Sequence, residues 1–390
     1  MTMQVVIAGG GMVGAAAALA LARHGAQVTV VEAMAELPQV GGVPLRVSAF
    51  NPQTLGFLDQ LGVLAGLREC GLHPYSQLQV SEGEGPVANF SAAEQGTAQL
   101  GAFVANDSVQ ALLWQALQPL ANVRLCQPAR VTAVTNGASG VTVTLDSGEL
   151  LSADLLIGAE GGLSAVRQLA GIGVDGWDYH QSCLALTVRL EQGAGDTTWQ
   201  CFTPTGPRAF LPLWGQWASL VWYDRPLALQ TAMRLDDQAL AAAVRSAWPR
   251  SLPAFTIERR ALFPLKRQQA QRYVQQRVVV VGDAAHLISP LAGLGANLGF
   301  ADVMLLVEAL AGGDIDAALK RFGCWRWPQN LAVMTAMDLC YGLFGSEQPM
   351  LRQLRGSLLG ALRQCAPLRR LGMGLASSAL EQRWPFAWHE

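Results

Sequence analysis

Two glycine clusters, each with a carboxylate nearby, are where this chain could do chemistry. Gly9, Gly11 and Gly14 follow the spacing G-x-G-x-x-G, and Glu32 stands 18 residues beyond the last of them. A glycine turn that opens a helix presents free backbone N–H groups and the positive end of the helix dipole, which suits a pyrophosphate. In that arrangement Gly9 makes the tight turn, Gly11 lets the backbone approach the phosphates, and Gly14 lets the helix pack on the strand. Glu32 then accepts hydrogen bonds from an unphosphorylated ribose, as in NAD or FAD. The second cluster lies within VVVVGDAAHLISPLAGLGANLGFAD, Val278 to Asp302. Asp283 ends a β-branched run there, and the loop that follows has few side chains, so a ligand is expected against its backbone. His286, in between, is of the residue type that moves protons near neutral pH; the alternative is that it satisfies local backbone groups.

Elements that could position these groups are legible around them. Gln4 to Ala8 reads as a buried strand, Ala15 to His24 as an alanine-rich helix, and Gln27 to Glu32 as a second strand, so the first cluster sits in a βαβ unit with parallel strands. Ser108 to Leu120 has helical spacing. Val141 to Leu145 alternates as a half-buried strand, and after the turn at Asp146-Ser147-Gly148 a second strand is expected over Leu150 to Ile157. Tryptophans and β-branched residues between Ser182 and Tyr223 predict several antiparallel strands. From Ala301 onward the pattern is helical and ends in an arginine- and leucine-rich stretch, Leu351 to Arg370.

Composition removes several classes of function. The chain has 390 residues, 51% of them hydrophobic and 14% charged, and a net charge of -2, so a large core is expected and a global field for nucleic acid is not. Its seven cysteines are scattered without a C-x-x-C pair, as suits reduced thiols in a cytoplasmic protein. The apolar run Val5 to Ala22 lacks a preceding positive charge and carries four glycines, so it is read neither as a signal peptide nor as a span. No Ser-His-Asp arrangement and no metal-ligand spacing appears, and the metal expectation is none.

The motif Gly282-Asp283-Ala284-Ala285-His286, followed by Pro290-Leu291-Ala292-Gly293-Leu294-Gly295-Ala296-Asn297, resembles the second FAD motif of the class A flavoprotein monooxygenases, the aromatic hydroxylases. Gly158-Ala159-Glu160-Gly161-Gly162-Leu163-Ser164-Ala165-Val166-Arg167 resembles that family's G-A-D-G-x-x-S-x-V-R segment, and Arg46 and Asn106 stand where it has flavin-side residues. The stretches Trp177 to Cys183, Phe202 to Leu213 and Trp217 to Asp224 look most like the ubiquinone-biosynthesis hydroxylases, in particular those acting on 2-polyprenyl-3-methyl-6-methoxy-1,4-benzoquinol. Three positions depart from the pattern: Glu160 replaces an Asp, Leu294 replaces a Gln, and Pro44 replaces an Asp.

The resemblance implies an α/β fold in which a Rossmann-like, GR2-type FAD-binding domain (1–75, 100–180 and 275–325) is interleaved with an antiparallel-sheet substrate domain (76–99 and 181–274), with a helical C-terminus (326–390). It implies NAD(P)H as reductant, O2 as co-substrate, and hydroxylation of an aromatic or quinol ring through a flavin C4a-hydroperoxide. The implied FAD contacts are Gly9, Gly11, Gly14, Glu32, Arg46, Asn106, Glu160, Asp283, Gly293, Gly295, Ala296 and Asn297. Pro290 is placed near the reacting carbon of the flavin, and His286 and Arg208 join it as catalytic candidates. Arg208 either orients a phenolate or forms a surface salt bridge; the nearby tryptophans line a pocket or form core. The Leu351 to Arg370 stretch offers either a peripheral contact with the inner membrane, alone or within a ubiquinone-biosynthesis complex, or a solvated helix face. Rival readings are a hydroxylase of small aromatics and a non-catalytic subunit that keeps the fold.

Overall fold

The apolar runs Gln4–Ala8 and Leu155–Gly158 show little polar alternation because neighbouring layers bury both faces of these strands. A computed structural model describes residues 2–83, 87–249, 251–288, 293–346 and 348–364. Its six-stranded sheet runs Val274–Gln275, Val278–Val280, Leu155–Gly158, Gln4–Ala8, Gln27–Val31, Val123–Cys126. All neighbours are parallel except the first pair, a short antiparallel edge. Val5 and Ile7 face a core shared with the helices Met12–Arg23, Asn106–Leu117 and Gly295–Leu310, while Val6 and Ala8 face a three-stranded antiparallel sheet. Nine consecutive residues of the first helix, Gly14 to Ala22, are buried. Their small side chains let that helix lie between the sheet and the other two helices.

The expected single strand over Leu150 to Ile157 is two strands. Leu150–Ala153 pairs antiparallel with Val141–Leu145, and Leu155–Gly158 pairs parallel with Gln4–Ala8. Asp154 makes the switch between sheets: its backbone N–H donates to the Gln4 carbonyl at 2.9 Å, and its carboxylate accepts from the Gln4 N–H at 2.7 Å.

An eight-stranded sheet holds the tryptophan-rich region. Its order is His286–Leu287, Phe255–Ala270, Val174–Leu190, Trp217–Asp224, Arg208–Pro212, Thr197–Phe202, Gln77–Glu82, Ala88–Ser91, with one parallel pair, Thr197–Phe202 with Gln77–Glu82. Its two longest strands, of 17 and 16 residues, pair along their length across an irregularity between Asp178 and Ser182, where His180 has a φ of 54°. The helices Pro226–Met233 and Asp237–Ala247 cover one face, burying Trp222 and Trp248. These tryptophans are therefore core. Division points at residues 180 and 325 fall inside Val174–Leu190 and inside the 31-residue helix Ile315–Gly345.

Five residues, 281–285, connect the two large sheets. Val278–Val280 belongs to the parallel sheet, Gly282–Ala284 forms a 3-10 turn, and His286–Leu287 pairs with the end of Phe255–Ala270. The second glycine cluster thus stands at the junction of the two layers. A small sheet beside it pairs Val47–Phe50 and His73–Tyr75 with Gly101–Ala105.

Candidate active site

Steric demand explains the first cluster residue by residue. Gly9 has a φ of +99°, and a Cβ there would stand 2.5 Å from the Ala159 carbonyl oxygen; a Cβ on Gly14 would stand 1.9 Å from the Gly9 oxygen. Gly11 has nothing within 4 Å of its Cβ position, and it caps the helix Met12–Arg23 without any side-chain hydrogen bond. The space beside Gly11 at the start of that helix is thus open, as an anion requires. Glu32 is buried at the end of its strand, its Oε2 accepting from the Gly10 N–H at 2.6 Å and its Oε1 from the Met34 N–H at 2.7 Å. Each oxygen retains acceptor capacity for a hydroxyl.

The second cluster packs against the first. Gly282 has a φ of +60°, and the Val13 side chain lies against both Gly282 and Gly299 at separations a Cβ would close to 3.3 and 2.7 Å. Gly293, at a φ of +64°, lies against Ala49, and the helix Gly295–Leu310 begins at Leu294 with no side-chain cap. Asn297 is a strut: its side chain donates to the Ala49 carbonyl at 2.7 Å and accepts from the Asn51 N–H at 3.0 Å and the Thr54 hydroxyl at 2.9 Å. Its side chain is therefore spent within the protein, and its backbone N–H, like those of Gly295 and Ala296, lies in the uncapped first turn.

Glu160 and its neighbours join the clusters. Its Oε2 accepts from the Ser164 hydroxyl at 2.7 Å and the Val166 N–H at 2.8 Å, capping the helix Ala165–Leu169. Arg167, buried in that helix, donates to the Ala284 carbonyl and to the Gly162 carbonyl, both at 2.9 Å, and ties this segment to the second cluster. Arg46 and Asn106 meet because Val47 pairs with Ala105: the Asn106 N–H donates to the Arg46 carbonyl at 3.0 Å, and the Ser48 hydroxyl donates to the Asn106 side chain at 2.8 Å. The Arg46 guanidinium lies 4.7 Å from the Phe263 ring centroid.

Similarity to known proteins identifies the family. A family model described as an FAD binding domain matches residues 2–313. The chain is 40% identical over 382 residues to 3-demethoxyubiquinol 3-hydroxylase of Escherichia coli (strain K12), covering 96% of this chain and 98% of that one. The chain belongs to this family of FAD-dependent monooxygenases. Ubiquinone hydroxylase UbiL of Rhodospirillum rubrum is 32% identical, with 97% of this chain and 90% of that one covered. The fold matches that of p-nitrophenol 4-monooxygenase PnpA from Pseudomonas putida, with a TM-score of 0.82 at 20% identity over 98% of this chain and 99% of that one. The enzyme is an aromatic hydroxylase by class, and its cofactor is FAD.

The residues present fit that cofactor: an uncapped helix N-terminus faces open space at Gly11, and a carboxylate stands free at Asp283. Asp283 is solvent-accessible yet set low among protein atoms. Burial raises its carboxyl above the ordinary range, against the opposing charges of His286 and Arg46. Such a group is poised for a hydroxyl donor. Because its pKa in the fold exceeds the unfolded value, ionising Asp283 costs the apo-protein stability as pH rises through the raised value. A flavin hydroxyl donating to it favours the ionised form, so FAD affinity is expected to weaken as pH falls through that value. Asp283→Ala should abolish this pH dependence and loosen FAD by about 10- to 150-fold, the worth of one hydrogen bond to a charged group. Fluorescence titration of apo-protein across pH checks both.

Two catalytic candidates are engaged by buried protein partners. His286 is fully buried, with Nε2 2.6 Å from an Asp302 carboxylate oxygen. Arg208 is not at the surface: its guanidinium is held by Asp224 at 2.9 Å, the Thr205 hydroxyl at 3.0 Å and the carbonyls of Gly206, Pro207 and Tyr223. Pro290 lies outside the described residues. Of the three departures, Leu294 joins an apolar cluster with Ile288, Leu298, Val333 and Met334, and the Pro44 carbonyl accepts from the buried Thr187 hydroxyl. Sequence reasoning missed Gln110 and Trp114, whose side chains donate to the Gly10 carbonyl at 3.0 and 2.7 Å. Their i,i+4 spacing on one helix was the available signal, but its target lies 100 residues away.

Proposed function

We propose that this enzyme hydroxylates a polyprenyl benzoquinol in ubiquinone biosynthesis, consuming NAD(P)H and O2. The observation that carries this reading is the 40% identity, along nearly the full length of both chains, to the 3-demethoxyubiquinol 3-hydroxylase. The balance is ring C–H plus O2, NAD(P)H and a proton giving ring C–OH, water and NAD(P)+. Bound FAD supplies the transfer of electrons from the nicotinamide to O2. The protein's part is to hold and position. The first-turn N–H groups after Gly11 take the pyrophosphate, Glu32 the ribose, and Asp283 a hydroxyl of the ribityl chain. The N–H groups of the helix Gly295–Leu310 stabilise negative charge on the reduced ring. Arg46 and Asn106 flank the same space, and Glu160 sets the turn beside Gly9. In this reading the FAD-binding part is formed by 1–75, 100–180 and 275–325, and the eight-stranded sheet closes over the ring and excludes water.

The test is aerobic turnover with NADPH and a short-chain analogue of the benzoquinol under 18O2, read by mass spectrometry. A product one 18O heavier, with NADPH oxidation accelerated by the analogue, is expected. NADPH oxidation that the analogue does not alter, with no labelled ring, would overturn the substrate.

For a polyprenyl substrate we propose a peripheral membrane contact through the helix Pro349–Gln364. Among the described residues no helix is long and apolar enough to cross a membrane. Met350 and Leu354 on that helix are exposed one turn apart, while Arg355 is buried and paired with Glu82. The face offered to lipid is thus these apolar side chains, with the arginine turned inward; residues 365–370 lie outside the described residues. Changing Met350 and Leu354 together to Glu should lower co-sedimentation with anionic phospholipid vesicles at least about 10-fold, since each apolar side chain withdrawn from lipid forfeits about 1.5–3 kcal/mol.

A further inference from the structure

Behind the second glycine cluster lies a buried polar network that the reading above leaves unused. Asp302 on the helix Gly295–Leu310, Arg326 and Asn330 on Ile315–Gly345, and His286 and Tyr273 are all enclosed by protein. Every group that reaches the Asp302 carboxylate is a donor. The Gly282 N–H at 3.0 Å and His286 Nε2 at 2.6 Å meet Oδ2; Arg326 Nε at 2.7 Å and Asn330 Nδ2 at 3.1 Å meet Oδ1. Opposite a carboxylate, His286 Nε2 carries its proton. Four donors on two oxygens can be satisfied by an ionised carboxylate and by no neutral amide, which would turn its own NH2 toward two of them. Burial opposes that charge, but His286 and Arg326 outweigh it and hold the Asp302 carboxyl well below the ordinary carboxylate range.

Of the four donors, the Gly282 N–H is the one next to the flavin-facing carboxylate. Gly282 has a left-handed φ, precedes Asp283, and begins the turn by which the chain leaves one large sheet for the other. Asp302 itself rides on the helix whose uncapped N-terminus follows the second glycine loop. A single carboxylate therefore spans the two pieces of backbone that face the cofactor. We infer that Asp302 is a positioning residue for the flavin, fixing the Gly282–Asp283 turn relative to the N-terminus of Gly295–Leu310, with His286 and Arg326 holding its two oxygens in place. This rests on FAD binding, which family membership establishes, and is independent of the ring hydroxylated.

The experiment is a titration of apo-protein with FAD, read by flavin fluorescence and by the visible spectrum of the bound cofactor, beside thermal melting of each apo-protein. Tight binding by the wild type is the control that separates failure of this inference from failure of the flavin reading. Asp302→Asn is expected to weaken FAD at least about 10-fold, the lower end for a lost hydrogen bond to a charged group, and to shift the bound spectrum. A companion pair covers the case in which that variant does not fold. His286→Gln can place an amide N–H near the Nε2 position and donate to Asp302, whereas His286→Leu cannot. The Gln variant is expected to bind FAD within about 3-fold of the wild type and the Leu variant about 10-fold more weakly. Asp302→Asn that melts earlier yet binds FAD normally would assign a merely structural role and overturn the inference. Equal FAD affinity in the two His286 variants would overturn it as well.

Discussion

Gly14→Ala is expected to cost this enzyme both stability and cofactor, whereas Gly11→Ala should cost the cofactor alone. The added Cβ at residue 14 would stand 1.9 Å from the Gly9 carbonyl oxygen and 3.2 Å from the Ala159 side chain, so the backbone of the glycine turn must move. Overpacking of this kind costs about 1–3 kcal/mol, and the obstacle here is backbone, which places the cost at the upper end. Moving the turn also re-aims the first-turn N–H groups. Losing two charge-assisted hydrogen bonds at about 1.5–3 kcal/mol each weakens FAD by roughly 10² to 10⁴-fold. At Gly11 a Cβ meets nothing within 4 Å, so Ala there should leave the melting temperature of the apo-protein nearly unchanged. In the proposed reading the methyl group would stand instead where the pyrophosphate approaches. Melting curves and FAD titrations of the two apo-variants separate these outcomes. Equal loss of stability in both would show that Gly11 serves the fold rather than the phosphate.

The same contrast explains what the sequence revealed and what it withheld. Gly9, Gly14, Gly282 and Gly293 were legible because backbone requirements are written locally: a left-handed φ or a close approach leaves glycine as the residue tolerated. The strand Gln4–Ala8 was legible for a related reason, since burial on both faces erases alternation. Leu150 to Ile157 was misread because its break is tertiary. Its two halves pair with different sheets, and the only residue marking the change, Asp154, looks like any surface carboxylate until Gln4 is seen beside it. Long-range pairing likewise hid the extent of Val174–Leu190, whose first five residues are exposed, and of Phe255–Ala270, whose burial follows no regular alternation before Leu265. The partners of His286 and Arg208 were not legible, because residue type says what a side chain could do, whereas the fold decides what it meets. Both partners, Asp302 and Asp224, sit 16 residues away in sequence, on elements whose packing could not be inferred from spacing.

Arg208→Ala is accordingly expected to damage stability and spare chemistry. Its guanidinium donates to Asp224 at 2.9 Å and lies 5.3 and 5.8 Å from the ring centroids of Trp222 and Trp248. Removing one partner of a buried pair strands the other charge, at a cost of about 3–5 kcal/mol. Asp224 keeps Trp222 Nε1 at 3.2 Å, the Thr205 hydroxyl at 3.1 Å and the Arg225 N–H at 2.8 Å, which points to the lower figure. Burial already pulls the Arg208 guanidinium down from its ordinary value, with Asp224 opposing, so the pair is desolvated rather than screened. Replacing both partners with apolar residues, Arg208→Met with Asp224→Leu, should recover much of the loss, because an empty charge is worse than none. Denaturation of the apo-proteins checks the stability order of wild type, double variant and single variant. FAD affinity and kcat/KM of the folded single variant should stay within about 3-fold of the wild type, since none of the lost contacts reaches the cofactor cradle; a residue that oriented a phenolate would instead lose kcat/KM by on the order of 100-fold with stability intact.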